Sequence, residues 1–152
     1  MEQTTLSNLS EELGFLLIAN KDILSKVDFT GKSLPQIFFN NLVEKYYGQG
    51  SYSKASFEKA TGYGKRVYYR LNGYDVLKEV KPEQVIAAMF WLQTTYEEAK
   101  LLFLLIFVRD MEITEFQKWD TVLQELNKSE RYLKNVSAGK RVLYARNKID
   151  EL

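Results

Sequence analysis

SKASFEKATGYGKRVYYRLNG, running from Ser53 to Gly73, is the stretch whose reading decides the fold. It holds two short helical patterns broken by Gly62-Tyr63-Gly64. The first, Ser53 to Ala60, places Ser53 as the N-cap, where a hydroxyl accepts from a free backbone N–H. It turns Phe57 and Ala60 inward at i, i+3 spacing. Gly62 supplies the permissive backbone of a helix end. The second runs from Lys65 to Leu71, with Val67 and Leu71 inward and Lys65, Arg66, Tyr69 and Arg70 outside; Asn72-Gly73 is its stop signal. Helix, tight glycine-containing turn and helix predict a helix-turn-helix unit, whose second helix is the one that enters a DNA major groove. Local charge agrees. Residues 51–73 hold Lys54, Lys59, Lys65, Arg66 and Arg70 against Glu58 alone, a surplus of +4 in a chain of formal net charge +1.

Upstream, Pro35 suits a helix start, where its missing N–H costs nothing. Ile37, Phe38, Leu42, Val43 and Tyr46 then form an apolar stripe ending at Gly48-Gln49-Gly50. Residues 5–26 read as one or two short helices, with Leu6, Leu9, Leu13, Leu16 and Leu17 on one side and Glu11 and Glu12 opposite. Asn20-Lys21-Asp22 is the candidate break before Ile23-Leu24, and Asp28 to Ser33 is polar. Downstream, Tyr74 to Lys81 is a connection with Val76, Leu77 and Val80 as its anchors. Pro82 opens the next helix, with Glu83 favourable in its first turn and Val85, Ile86, Met89, Phe90 and Leu92 as its apolar set. Thr95-Tyr96-Glu97-Glu98 matches a capping box ahead of a further helix. In that helix Leu101 to Val108 is apolar nearly all round, which predicts the central buried helix or one with a face for a partner. Thr114 to Gln117 is a second capping box, leading into Phe116, Trp119, Val122, Leu123 and Leu126. Ser129 to Ile149 is less periodic, with a break at Ser137-Ala138-Gly139. The prediction is an all-α chain of six to nine helices.

Composition removes most chemistry. At 152 residues, 45% hydrophobic and 27% charged, the chain is long enough to bury one core. With neither Cys nor His, it lacks disulfides, the usual zinc ligands and the usual general base, and so Ser-His and Cys-His nucleophile systems. A carboxylate enzyme remains, but nothing sets two acids apart from the rest. Glu2 stands where an export signal wants positive charge, and Leu13 to Ala19 lacks a clear small-residue cleavage site. The longest apolar run, Leu101 to Val108, is eight residues against the roughly 20 of a bilayer span. These features lead us to expect a cytoplasmic protein.

The order of elements resembles the lambda-repressor-like family, the Cro/repressor-type five-helix DNA-binding domains, over residues 34–107. The resemblance rests on Phe57 to Gly62 as second helix and turn, Val67 to Gly73 closing the third helix, Lys81 to Ala88 as the fourth, and Leu92 with Thr94 to Leu102 as the turn into the fifth. It implies that the third helix reads base edges while the start of the second touches phosphate. Carried over by position, Lys65, Arg66, Tyr69 and Arg70 become groove contacts, and Ser53 and Lys54 phosphate contacts; the chemistry of Arg with guanine and of Lys with phosphate is in keeping. Between Gly62 and Gly73 the chain is one residue shorter than the family's usual spacing, which leaves open by one position whether Lys65 or Arg66 faces outward. Gly64 stands where the third helix should begin, and Gly costs roughly 1 kcal/mol against Ala inside a helix.

Bland readings stand beside these. The basic cluster also suits a solvated face. Most of the ten tyrosines suit rim positions with a buried ring and a wet hydroxyl, with Tyr68 and Tyr69 open as stacking platforms. Ser129 to Lys148 has Arg131, Lys134, Lys140, Arg141, Arg146 and Lys148 against Glu130, and an ordinary charged terminal helix is favoured over a second phosphate surface. Gly62-Tyr63-Gly64-Lys65 lacks phosphate-loop spacing. The expectation is one domain, 1–152, with a helical extension over 1–33, a helix-turn-helix core over 34–108 and a second extension over 109–152. It binds double-stranded DNA in transcriptional control, as a homodimer, with no enzyme activity, cofactor, metal or membrane partner. The competing expectation is a protein-interaction module on the same scaffold.

Overall fold

Prolines, capping side chains and left-handed residues set the helix ends in the computed structural model, which describes residues 2–21, 31–48, 52–128, 133 and 135–152, with side chains from Glu11 onward. The helices are α1 (Glu2–Ala19), α2 (Leu34–Tyr46), α3 (Ser53–Thr61), α4 (Lys65–Asn72), α5 (Pro82–Leu92), α6 (Tyr96–Phe107), α7 (Ile113–Leu123) and α8 (Ala138–Asp150), with a 3-10 segment Gln124–Lys128 after α7. No strand occurs among the described residues, so the chain is all-α as expected. No helix among them is long and apolar enough to cross a membrane. The expected break at Asn20-Lys21-Asp22 and the piece Ile23-Leu24 fall largely outside the described residues, as do Gln49, Gly50, Glu130, Arg131 and Lys134.

Pro35 and Pro82 both lie in the first turn of their helices, where the lost donor has no intrahelical partner anyway. The Thr95 box is present in both directions: Glu98 N–H donates to Thr95 Oγ1 at 3.2 Å, and Thr95 N–H to Glu98 Oε1 at 2.9 Å. The second expected box is not. Glu112 is the N-cap of α7, in an extended conformation, so Thr114 lies inside the first turn. Ser53 is likewise the first helical residue of α3 rather than its cap, which is Tyr52; the Ser53 hydroxyl is spent on Tyr68 instead.

The central helix also differs from expectation. In α5 every residue from Val85 to Leu92 is buried, whereas in α6 burial stops at Leu104 and Leu105 to Phe107 are half-exposed. The reason is the C-terminal helix: α8 packs along α5 and on α3, putting Val142 and Ala145 into the same core, while α6 and α2 close the other sides of α5. Helix α1 lies against α6, with Leu13, Leu16 and Leu17 half-buried against the core. In the 73–81 connection Leu77 and Val80 reach the core, but Val76 does not; it is 66% exposed.

Candidate nucleic-acid interface

Three residues join α3 to α4. Thr61 is buried, its hydroxyl donating to Phe57 C=O at 2.7 Å and accepting from Tyr63 N–H at 3.2 Å. Gly62 takes φ 74°, and its N–H closes α3 on Glu58 C=O at 2.8 Å; only glycine adopts that conformation without strain. Gly64 is extended and serves as the N-cap of α4, so the helix-interior cost expected for it does not arise. The pair is held from below by Phe57, whose ring lies 5.4 Å from Tyr68 and 5.3 Å from Trp91. Trp91 in turn donates from Nε1 to Ser56 Oγ at 3.0 Å.

Helix α4 buries Val67, Tyr68 and Leu71 and turns its other face outward. Lys65 and Arg66 are both exposed, with no ion-pair or hydrogen-bond partner among the described residues. That resolves the one-position ambiguity: at the start of a helix two consecutive residues share the open side. Tyr69 is half-buried, with the Lys54 ammonium 5.5 Å from its ring centre and the Tyr74 ring 4.6 Å away. Lys54 also lies 3.9 Å from the Glu58 carboxylate. Arg70 is only 20% exposed and engaged with Glu79 at 3.3 Å, and Ser53 is hydrogen-bonded to the Tyr68 hydroxyl at 2.7 Å. The fold thus gathers Lys54, Lys65, Arg66 and Tyr69 on one surface and commits Arg70 and Ser53 to internal partners. Tyr68 is no stacking platform: its ring is 6% exposed, and burial raises the pKa of its hydroxyl.

Several positioning residues have no clear sequence signal. Gln36 is 5% exposed and donates from Nε2 to Arg70 C=O and Asp75 C=O, both at 2.9 Å, while its Oε1 accepts from Ser33 N–H at 3.0 Å. Ser33-x-x-Gln36 is the pattern of a helix start, so the cap was legible and the tie to α4 was not. Arg141 donates to the carbonyls of Phe90 (2.9 Å), Trp91 (2.6 Å) and Val136 (2.6 Å), covering the C-terminal end of α5. Arg146 donates to Thr61 C=O and stacks on Tyr63, its guanidinium carbon 5.0 Å from the ring centre. Lys148 pairs with Glu125 and Glu151. Of the four cations of the terminal basic run among the described residues, Arg141, Arg146 and Lys148 are thus engaged within the protein, and Lys140 is exposed.

Away from this face lies a polar cleft of about 470 Å³ beside the α5–α6 turn, bordered by Tyr46, Tyr96, Glu97 and Asn127, with no Lys or Arg in its lining. Burial raises the Tyr96 hydroxyl's pKa strongly, and its hydrogen bond to Asp120 at 2.8 Å adds to this. Compared with known protein families, curated proteins and solved structures, the chain matches none.

Proposed function

We propose that the chain is a DNA-binding protein that lays α4 in the major groove of double-stranded DNA, on a repressor-like helix-turn-helix core, in transcriptional control. One observation carries this: α4 buries one face against α2 and α3 and presents Lys65 and Arg66 on the other, both without internal partners, with Lys54 and Tyr69 alongside. Exposed Lys and Arg beside a helix with an open face is the arrangement that phosphate and base-edge contacts need. Lys54 stands in the first turn of α3, the position this reading gives to a phosphate contact. Paired half-sites would require two copies, and sedimentation with and without duplex counts them.

Fluorescence anisotropy of a labelled random-sequence duplex is the test, since non-specific binding needs no known operator. Wild type should bind at about 50 mM salt and weaken steeply by about 200 mM. The double variant Lys65→Ala/Arg66→Ala should lose that binding with unchanged helicity by circular dichroism, because both side chains are exposed and touch nothing internal. Absence of wild-type binding at the lower salt would replace this reading with the protein-partner one.

A further inference from the structure

Tyr74 follows α4 and is the most exposed large hydrophobic side chain of the loop, at 80%. Exposure of an aromatic ring is ordinary where the backbone is loose, but this backbone is tied down. Asp75 N–H donates to Tyr69 C=O at 3.0 Å, Tyr74 N–H to Asn72 Oδ1 at 2.9 Å, and Val76 N–H to Asp75 Oδ1 at 2.8 Å. From α2, Asn40 Nδ2 donates to Asn72 C=O at 2.6 Å, and buried Gln36 holds the carbonyls of Arg70 and Asp75 together. Gly73, at φ 93°, gives the chain its reversal at the end of α4. The loop is thus built to hold Tyr74 where it stands, its ring tilted against that of Tyr69 with centres 4.6 Å apart, which places it beside the outward face of α4.

Lys54, Tyr69 and Tyr74 make a continuous line across α4, from the start of α3 to the loop. Of the acids near this line, Glu79 is paired with Arg70, Glu58 lies 3.9 Å from Lys54, and Asp75 keeps its charge while accepting from Val76 N–H. Lys54, Lys65 and Arg66 outnumber Glu58 and Asp75, and a polyanion with flat, apolar units suits both this surplus and the ring.

We propose that Tyr74 is a DNA contact, its ring packing against the sugar and base wall of the duplex next to α4; the inference rests on the DNA-binding reading above. The contact is uncharged, so it adds affinity without releasing counterions. A ring held in place by its own loop loses little freedom on binding, which is where such a contact gains its strength.

The experiment is anisotropy on the full chain with the same labelled duplex and, in parallel, its single strand, for wild type, Tyr74→Ala and Tyr74→Phe at about 50 and about 200 mM salt. Tyr74→Ala should bind the duplex about tenfold more weakly, in the range of an aromatic–nucleotide contact, with the salt dependence unchanged. Tyr74→Phe should stay within about twofold of wild type, since it keeps the ring. Salt-sensitive wild-type binding with Tyr74→Ala indistinguishable from it overturns the proposal and leaves the DNA reading intact. Loss of affinity confined to the single strand overturns it, as does an equal loss in Tyr74→Phe. A loss that comes with a lowered urea midpoint also overturns it, because it belongs to folding. A wild type that binds no duplex at either salt overturns both readings.

Discussion

Glu98 shows how much one side chain joins. It is 3% exposed, yet it closes the capping box of α6 and receives Lys45 Nζ at 2.6 Å and the Tyr46 hydroxyl from the end of α2. Burial pushes its pKa up, but the hydrogen bonds from Lys45, Tyr46 and Thr95 together outweigh that and hold it below the ordinary 4.5. A carboxylate whose folded pKa is depressed stabilises the fold above its unfolded pKa and loses that contribution as pH falls through the folded one. Glu98→Ala should cost about 2–3 kcal/mol at neutral pH, because it removes a cap and leaves buried donors unmet. It should also flatten the fall in stability below pH 4.5. Lys45→Ala should cost under about 1 kcal/mol, since the ammonium is half-exposed and screened. Urea titrations of both variants across acid pH separate the two; equal losses would show that the ion pair, rather than the cap, is what matters.

Among the elements, α8 acts on the helix pair from behind. Arg141 supplies donors to the last carbonyls of α5, which have no intrahelical partner, and Arg146 holds the end of α3 and Tyr63 in the turn. Charged donors to buried carbonyls are each worth about 1.5–3 kcal/mol. Arg141→Ala should therefore lower stability by about 3 kcal/mol with an unchanged denaturant slope, read from the urea midpoint. Arg141→Lys should recover little of this, because one ammonium does not reproduce the planar fork that spans three carbonyls. If Lys restores full stability, the charge alone is sufficient and the fork geometry is irrelevant.

Across the whole molecule the charges nearly cancel, at +1, and their placement matters more than their sum. Arg141, Arg146 and Lys148 are drawn inward to carbonyls and acids, while Lys54, Lys65 and Arg66 are left on one side. If Lys54, Lys65 and Arg66 each meet a phosphate, the plot of log K against log salt should have a slope of about −2.7. Titration of duplex at several salt concentrations measures it. A slope near zero would remove phosphate contact from the account, and a slope near twice that would require two copies on one duplex.

Local rules were legible in the chain. Pro35, Pro82, the Thr95–Glu98 box, Gly62 and Gly73 mark helix ends, and Val67 and Leu71 mark the inward face of α4 to within one position. These depend on neighbours three or four residues away, so the sequence by itself determined them. Only the tertiary structure decided which helix is central, because α5 owes its burial to α8, more than forty residues later. The same holds for the cations. A lysine or arginine in a sequence carries its charge but not the position of its partner, and partners here are distant: Phe90 for Arg141, Thr61 for Arg146. Arg70 and Ser53 meet Glu79 and Tyr68, partners beyond the reach of a helix's own period. Helix formation is governed by contacts near in sequence, whereas burial and ion pairing are governed by contacts near in space.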